Sequence, residues 1–336
     1  MDCLSIHPFD RQKKKLIITS DMIQCIQELK MYKAYETHLG YLGFDGLMGH
    51  SILDFVQATV IQEQILPQMT DVRSNMMNYR ESQNLLWVTN EHVKTWGMYN
   101  NDNGVYELTV SGLQHLHRML MYKLTDMNDH DKGNFCIRGR YSTYKGKRHD
   151  YPSVRHNQAY VAILQPILNT FNQEMRSIHS EQEQDLTESL KKSVYLASWI
   201  FYQLTCLHPF ADGNGRTARV LASRCFPQLC RLPAFIWSKI TPLEIEFVDA
   251  LIEARNTKDL TKLDTLVFES IKRALENVKW RLNKMIDMKR VKKVVTEEGW
   301  SEHDKPYCGP PQGCPSDCDD ECCNPPECSP SQSTTQ

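Results

Sequence analysis

Apolar residues recur at helical spacing along much of the chain. One set, spaced three or four positions apart, comprises Leu186, Leu190, Val194, Ala197, Phe201 and Leu204. Because residues at these intervals share one face of an α-helix, the set predicts a long helix that ends close to His208. The same spacing, starting at Leu263, predicts a second long helix that runs to about Arg290.

Shorter patterns cover other parts of the chain. Helical spacing predicts helices at 20–35, 51–66, 109–123 and 217–229. One β-hairpin is predicted, between Tyr141 and Tyr160. The sequence shows no internal repeat and no alternation of strands and helices typical of a nucleotide-binding α/β domain. We therefore expect an all-α bundle with a small β-hairpin.

Charge and hydropathy bear on partners and location. The formal net charge of −2 gives no basic footprint, so nucleic acid is not expected as a partner. The N-terminus lacks the apolar segment of a secretion signal, and no run of about 18 apolar residues occurs. We therefore expect a cytoplasmic protein without a membrane span. The run Lys13–Lys15 leaves a nuclear location open.

The cysteines form two populations. Half of the 12 are scattered through the body of the chain and are typical of reduced thiols that pack in an interior. The others crowd into a C-terminal segment rich in Pro, Gly and Asp, at Cys308, Cys314, Cys318, Cys322, Cys323 and Cys328. Such a composition predicts a disordered tail. Zinc binding, redox disulfides and palmitate attachment stay open, because the spacing lacks paired CxxC motifs.

One stretch of twelve residues, from His208 to Arg219, combines a histidine, a carboxylate, two glycines and two arginines. Gly213 and Gly215 permit a positive φ and close backbone approach, so successive N–H groups can face an anion. Arg216 and Arg219 are three positions apart and share a helix face, where two guanidinium groups can hold two phosphates. The stretch predicts a polyphosphate site with a base beside it.

The stretch reads HPFADGNGRTAR and resembles the signature HxFx[D/E]GNGRxxR of the Fic (Fido) family, with every specified position filled. The resemblance implies the Fic fold and transfer of AMP from ATP to a Ser, Thr or Tyr hydroxyl of a protein. It extends more weakly over 51–290. It implies three regions: an N-terminal helical region at 1–95, a catalytic core at 96–290 and the Cys- and Pro-rich tail at 291–336.

The resemblance also implies roles for single residues. His208, whose ordinary pKa lies near neutrality, is the expected general base. Asp212 is expected to hold Mg²⁺ or Mn²⁺ together with the substrate phosphates. Asn214 is expected to stabilise the α-phosphate while it is attacked. The residues expected to bind ATP are Gly213, Asn214, Gly215, Arg216, Arg219 and Asn256.

Two further segments resemble parts of the family outside the signature. Residues 133–152 lie where Fic proteins have a flap, a hairpin whose edge pairs with the target as an added strand. The target protein that would dock there cannot be identified from the sequence. The helix predicted at 109–123 looks like the one that opens the Fic core. We expect its His117 to be structural.

The segment at 59–64, TVIQEQ, is similar to the inhibitory motif [S/T]xxxE[G/N] of many Fic proteins, except for glutamine at its last position. The resemblance implies that Glu63 pairs with Arg219 and keeps the γ-phosphate out. A close pair of opposite charges in such a pocket is strong enough to compete with a phosphate.

Other functions stay open beside autoinhibited AMP transfer. A glutamate placed as Glu63 could orient a water molecule for removal of AMP from a modified protein. Transfer of another phosphate-containing group is a further alternative, although Gly215 argues against the phosphotransferase branch of the family. A nucleotide-binding interaction module without activity is the third. A homodimer is also left open.

Overall fold

The computed structural model describes residues 9, 16–34, 80–89, 107–125, 127–181, 185–226 and 242–297. The chain divides into two compact units, residues 1–285 and 286–336. In the second unit the description is limited to 286–297, which are helical. The helix predicted at 51–66 and most of the predicted tail lie outside the described residues, and the three predicted regions stay a prediction.

The described residues form eight helices and one two-stranded antiparallel hairpin, in the order α1 Ser20–Ala34, α2 at 80–89, α3 Val110–Leu120, β1 Tyr141–Tyr144, β2 Lys147–Asp150, α4 Asn157–Glu181, α5 Leu186–Leu207, α6 Asn214–Ser223, α7 Pro242–Thr257 and α8 Thr261–Glu297. This confirms the predicted class, an all-α bundle with a small hairpin. The periodicity did not predict α2, α4 or α7. Within the described part of the chain, no helix combines the length and the apolarity that crossing a bilayer requires.

Helix α5 is the central helix of the larger unit. It packs against α4 on one side and α6 on another, and its large residues Trp199, Ile200 and Phe201 are all buried. Every residue from Ser193 to Leu204 is buried, so this part of α5 lies inside the core. Asp185 caps its first turn by accepting hydrogen bonds from the N–H groups of Thr187 and Glu188. The helix predicted from the apolar spacing is thus confirmed.

The end of α5 and the start of α6 define a short loop at 208–213, which we term the signature loop. His208 ends α5 in a left-handed conformation with φ 51°, and its N–H donates to the Leu204 carbonyl. Gly213 has φ 72° and directly precedes α6. Helix α6 therefore begins at Asn214, earlier than the predicted 217, because the chain returns to helical geometry immediately after the glycine.

The hairpin is shorter than the predicted 141–160. Tyr141 pairs with Asp150 and Tyr144 with Lys147, and Lys145–Gly146 form the turn, both with positive φ. Beyond the strands, the chain enters α4 at Asn157. Along β1, residues alternate between exposed and half-buried, so one face of the hairpin lies against the protein.

Candidate active site

His208 lies half-buried at the C-terminal end of α5. Its Nδ1 is 3.4 Å from the carbonyl oxygen of Thr205, one turn earlier in the helix. A hydrogen bond from Nδ1–H to this carbonyl leaves Nε2 as the nitrogen that can accept a proton. The imidazole ring also stacks on the ring of Tyr151, with centroids 3.7 Å apart and an angle of 10° between the planes. The expected base therefore contacts the segment just after the hairpin.

Asn214 uses its side chain to close the signature loop. Its Oδ1 accepts a hydrogen bond from the Phe210 N–H, and its Nδ2 donates to the Phe210 carbonyl, both at 2.9 Å. Because the amide satisfies both backbone groups of one buried residue, it fixes the shape of the loop. Direct contact between Asn214 and an α-phosphate stays a prediction.

His117, on α3, joins the signature loop to the start of the flap. Its Nε2 lies 2.8 Å from the Asp212 carbonyl oxygen, and its Nδ1 accepts a hydrogen bond of 2.9 Å from the Gly133 N–H. Since a backbone N–H can only donate, Nδ1 carries no proton and Nε2–H donates to Asp212. The ring is fully buried and also stacks on Phe210, with centroids 3.8 Å apart. These contacts give His117 a structural place, as expected.

The pKa of His117 favours this arrangement. Burial, together with the nearby charge of Arg216, lowers the pKa from 6.5 to about 4, against the opposing hydrogen bond to the Asp212 carbonyl. The imidazole is therefore neutral at pH 7. Only the neutral ring can donate through one nitrogen while it accepts through the other.

Gly213 is required by space as well as by backbone conformation. A Cβ atom at this position would lie 2.7 Å from Sδ of Met121 and 3.2 Å from Nε2 of His117. The φ of 72° is also one that side chains with a Cβ disfavour. Gly213 therefore makes room for atoms of the protein itself, Sδ of Met121 and Nε2 of His117.

Arg216 is a buried cation held by two carboxylates. Its Nη1 donates to Oε1 of Glu81 at 2.9 Å, its Nη2 donates to Oδ2 of Asp212 at 3.0 Å, and its side chain is 3% exposed. The predicted phosphate contact of Arg216 stays a prediction, and these pairs give the guanidinium a structural role. Glu81 was missed from the sequence, because it lies on α2, far from the signature, in a segment that resembles no motif.

The remaining predicted residues differ in surroundings. Arg219 is buried on α6, one turn after Arg216. Asn256 is exposed near the end of α7, where the neighbouring Arg255 donates to the Asp150 carbonyl of the hairpin. Glu63 lies outside the described residues, so its pair with Arg219 stays a prediction.

Asp212 has the surroundings expected of a ligand that shares a metal with a substrate. Its side chain is 56% exposed, and one of its oxygens is bound to Arg216. In the part of the chain that the structure describes, no three His, Cys, Asp or Glu side chains form a group that could hold a metal ion. Mg²⁺ is often held by one or two carboxylates plus substrate phosphates and water. The donor set at Asp212 fits such an ion.

Backbone and side-chain hydrogen bonds attach the flap to the signature loop. The Cys136 N–H donates to the Pro209 carbonyl at 2.8 Å, and Nη1 of Arg140 donates to the Phe210 carbonyl at 3.0 Å. Arg140 also donates to the hydroxyl of Tyr160, which in turn donates to the Cys136 carbonyl. These contacts join residues far apart in the chain, so they could not be predicted from local sequence patterns.

Residues 107–225 match the model of the Fic/DOC family. The match supports a Fic domain over this part of the chain. It includes α3, the hairpin, the signature loop and α6, which are the elements that form the site. No curated protein is similar enough in sequence to count as a match.

Solved structures resemble this fold at low sequence identity. A Fic domain containing signalling protein from Bacteroides thetaiotaomicron is 17% identical, and the likeness covers 77% of this chain and 97% of that one, with a TM-score of 0.56. This likeness supports the Fic fold. A Fic family protein from Desulfovibrio desulfuricans is 18% identical, with coverage of 86% and 79% and a TM-score of 0.46. Fic-1 from C. elegans is 16% identical, with coverage of 77% and 71% and a TM-score of 0.49.

The crowding at Gly213 predicts a loss of stability on substitution. Gly213→Ala should lower the free energy of unfolding by about 1–2 kcal/mol from backbone strain. Displacement of Met121 and His117 should add roughly 1–3 kcal/mol. Gly146→Ala is the matched control, because Gly146 has φ 73° but no atom within 4 Å of an added Cβ. Denaturant unfolding of both variants measures the difference. Equal losses would show that the space around Gly213 is not restricted.

The lowered pKa of His117 predicts a dependence of stability on pH. Between pH 6.5 and about 4 the unfolded chain binds a proton that the folded protein rejects. The His117 contribution, ~3 kcal/mol, is therefore present above pH 6.5 and lost as pH falls to about 4. In His117→Gln the unfolding free energy should be smaller at pH 7 but should change less over this window. Parallel pH profiles for the two proteins would contradict the assignment.

Proposed function

We propose that this chain is a protein adenylyltransferase, which transfers AMP from ATP to a Ser, Thr or Tyr hydroxyl of a target protein. Fic proteins commonly transfer AMP or other groups, and the complete signature supports the choice of AMP. The observation that carries the proposal is the placement of His208. Its Nδ1 faces the Thr205 carbonyl, which leaves Nε2 to accept a proton at the start of the signature loop that leads into α6.

The proposed reaction is a single displacement at the α-phosphorus. The hydroxyl oxygen of the target forms a bond to this phosphorus while Nε2 of His208 takes the hydroxyl proton. The bond between the α-phosphorus and the oxygen that bridges to the β-phosphate breaks, and pyrophosphate leaves. A general base of this kind contributes roughly 10²–10⁴-fold in rate.

The start of α6 supplies the proposed binding site for the phosphates. The first N–H groups of a helix have no carbonyl partner within it, and the helix dipole makes this end attractive to anions. Gly213 and Gly215 flank this end, and Arg219 would hold the terminal phosphates. Asp212 would hold Mg²⁺ or Mn²⁺, which when bound neutralises part of the phosphate charge.

Autoinhibition by Glu63 is part of the proposal. The carboxylate would pair with Arg219 and occupy the position of the γ-phosphate. The similarity of 59–64 to the inhibitory motif supports it, as does the burial of Arg219, because a charge in a buried site gains more from a partner than an exposed one does.

The direct test is to incubate the purified chain with Mg²⁺, cell extract and ATP that is labelled in parallel at the α- or the γ-phosphate. Label should enter protein only from the α position. His208→Ala should lose this transfer by roughly 10²–10⁴-fold and keep its affinity for ATP, because the base is removed but the phosphate site is not. His115→Ala, which removes an exposed histidine of α3, is the matched control.

Two outcomes of this experiment would contradict the proposal. Protein label from the γ position would indicate phosphate transfer instead of AMP transfer. Undiminished label in His208→Ala would remove His208 from the mechanism.

Glu63→Gly tests the autoinhibition. The variant should transfer AMP faster than the parent, seen first as labelling of the chain itself, because the competing carboxylate is gone. Glycine in a helix also costs about 1 kcal/mol of stability, so the thermal midpoint is measured alongside. A folded variant no faster than the parent would rule out inhibition by Glu63. Accumulation of AMP-modified target only in the variant would instead favour AMP removal by the parent.

A further inference from the structure

The geometry points to Tyr151 as a positioning residue for His208. This inference rests on the proposed function, in which His208 is the base. Tyr151 directly follows β2 and belongs to no signature or motif of the sequence. It lies in the segment 133–152 that we expect to receive the target, and its ring reaches the end of α5.

The contact between the two rings restricts the imidazole. The planes are nearly parallel, at 10°, and the centroids are 3.7 Å apart, so the phenol ring covers one face of His208. Rotation of the imidazole toward that face would drive it into the phenol ring. Tyr151 therefore limits the directions in which Nε2 can point.

Tyr151 can limit the imidazole because the hairpin holds Tyr151 itself. Its N–H donates to the Arg140 carbonyl at 2.9 Å, which extends the pairing of the strands by one step. Its hydroxyl donates to Oγ of Ser142 at 3.1 Å. The residue is thus fixed at its backbone and at the far end of its ring.

The hydrogen bond of His208 to the backbone is long, so the stack on Tyr151 is a second restraint on the ring. The distance from Nδ1 to the Thr205 carbonyl, 3.4 Å, exceeds the usual length of about 2.9–3.0 Å for an N–H···O hydrogen bond. A bond of this length permits more rotation of the ring than a short one. The stack on Tyr151 adds a restriction on the ring that this hydrogen bond alone does not provide.

This arrangement connects target recognition with the base. The family resemblance implies that the target pairs with the hairpin, and the same hairpin orients Nε2 through Tyr151. The target hydroxyl and the base are then both positioned by the same hairpin. Because a misplacement of about 1 Å can cost roughly 10²-fold in rate, the stack should matter for the chemical step more than for ATP binding.

NMR spectroscopy of the full chain with labelled histidine tests the contact independently of activity. A ring stacked face to face on a phenol is shielded, so the carbon-bound protons of His208 should move downfield in Tyr151→Leu. Tyr151→Phe keeps the ring and should keep the shielding. Tyr122→Leu, which removes a tyrosine that is 52% exposed beyond the end of α3, is the control and should leave the His208 signals in place. Loss of one signal set in His208→Ala provides the assignment.

Transfer from α-labelled ATP into extract protein tests the consequence. Tyr151→Leu should lower the maximal rate by roughly 10- to 100-fold while the ATP concentration for half-maximal rate stays unchanged. Tyr151→Phe should recover most of this loss, and Tyr122→Leu should match the parent.

The inference is overturned if the His208 signals do not move in Tyr151→Leu, if Tyr151→Phe is as slow as Tyr151→Leu, or if ATP binding is lost together with the rate. Failure of the proposed function has a different result. In that case the parent protein itself transfers no label from the α position.

Discussion

The hydrogen bond from His117 to the Asp212 carbonyl is the interaction on which the site depends. The opposite nitrogen of the same ring accepts from the Gly133 N–H, so one side chain joins the signature loop to the start of the flap. Only a neutral imidazole can make both bonds, and burial lowers the pKa of His117 to about 4. The ring also crowds the position of a Cβ at Gly213, beside Met121, and stacks on Phe210. These contacts hold the signature loop, which connects His208 to α6.

The residues of the signature divide by what their side chains do. Asn214 closes the loop on Phe210, and Arg216 is neutralised between Glu81 and Asp212. Breaking a buried pair such as Arg216–Glu81 by removal of one partner typically costs ~3–5 kcal/mol, so part of the motif is a requirement of folding. The proposed chemistry uses His208, Asp212 and Arg219, of which Asp212 also pairs with Arg216. Several side chains of the motif therefore hold the signature loop and α6 in place.

Local patterns predicted the parts of the structure that local physics determines. The apolar spacing along α5 and the glycines of the signature were sufficient for the central helix and for the position of the loop. Helix α4 has the same spacing, at Leu164, Leu168, Phe171 and Met175, but Pro166 lies within it. Because proline inside a helix removes a hydrogen bond and usually ends or kinks it, this helix was missed.

Glu81 and Tyr151 could not be predicted, because their partners lie 135 and 57 positions away in sequence (216 − 81 and 208 − 151). Such contacts exist only in the folded chain.

Nitrogen NMR spectroscopy of the full chain, with ¹⁵N-labelled histidine and glycine, shows whether a neutral His117 holds the signature loop. The signals of His117 are assigned by their absence in His117→Gln. At pH 7 we expect Nε2 to carry the proton and Nδ1 to be bare, with a scalar coupling across the hydrogen bond between Nδ1 and the Gly133 nitrogen. A proton on Nδ1, alone or together with one on Nε2, would mean that the bond to Gly133 does not form and that His117 does not join the signature loop to the flap.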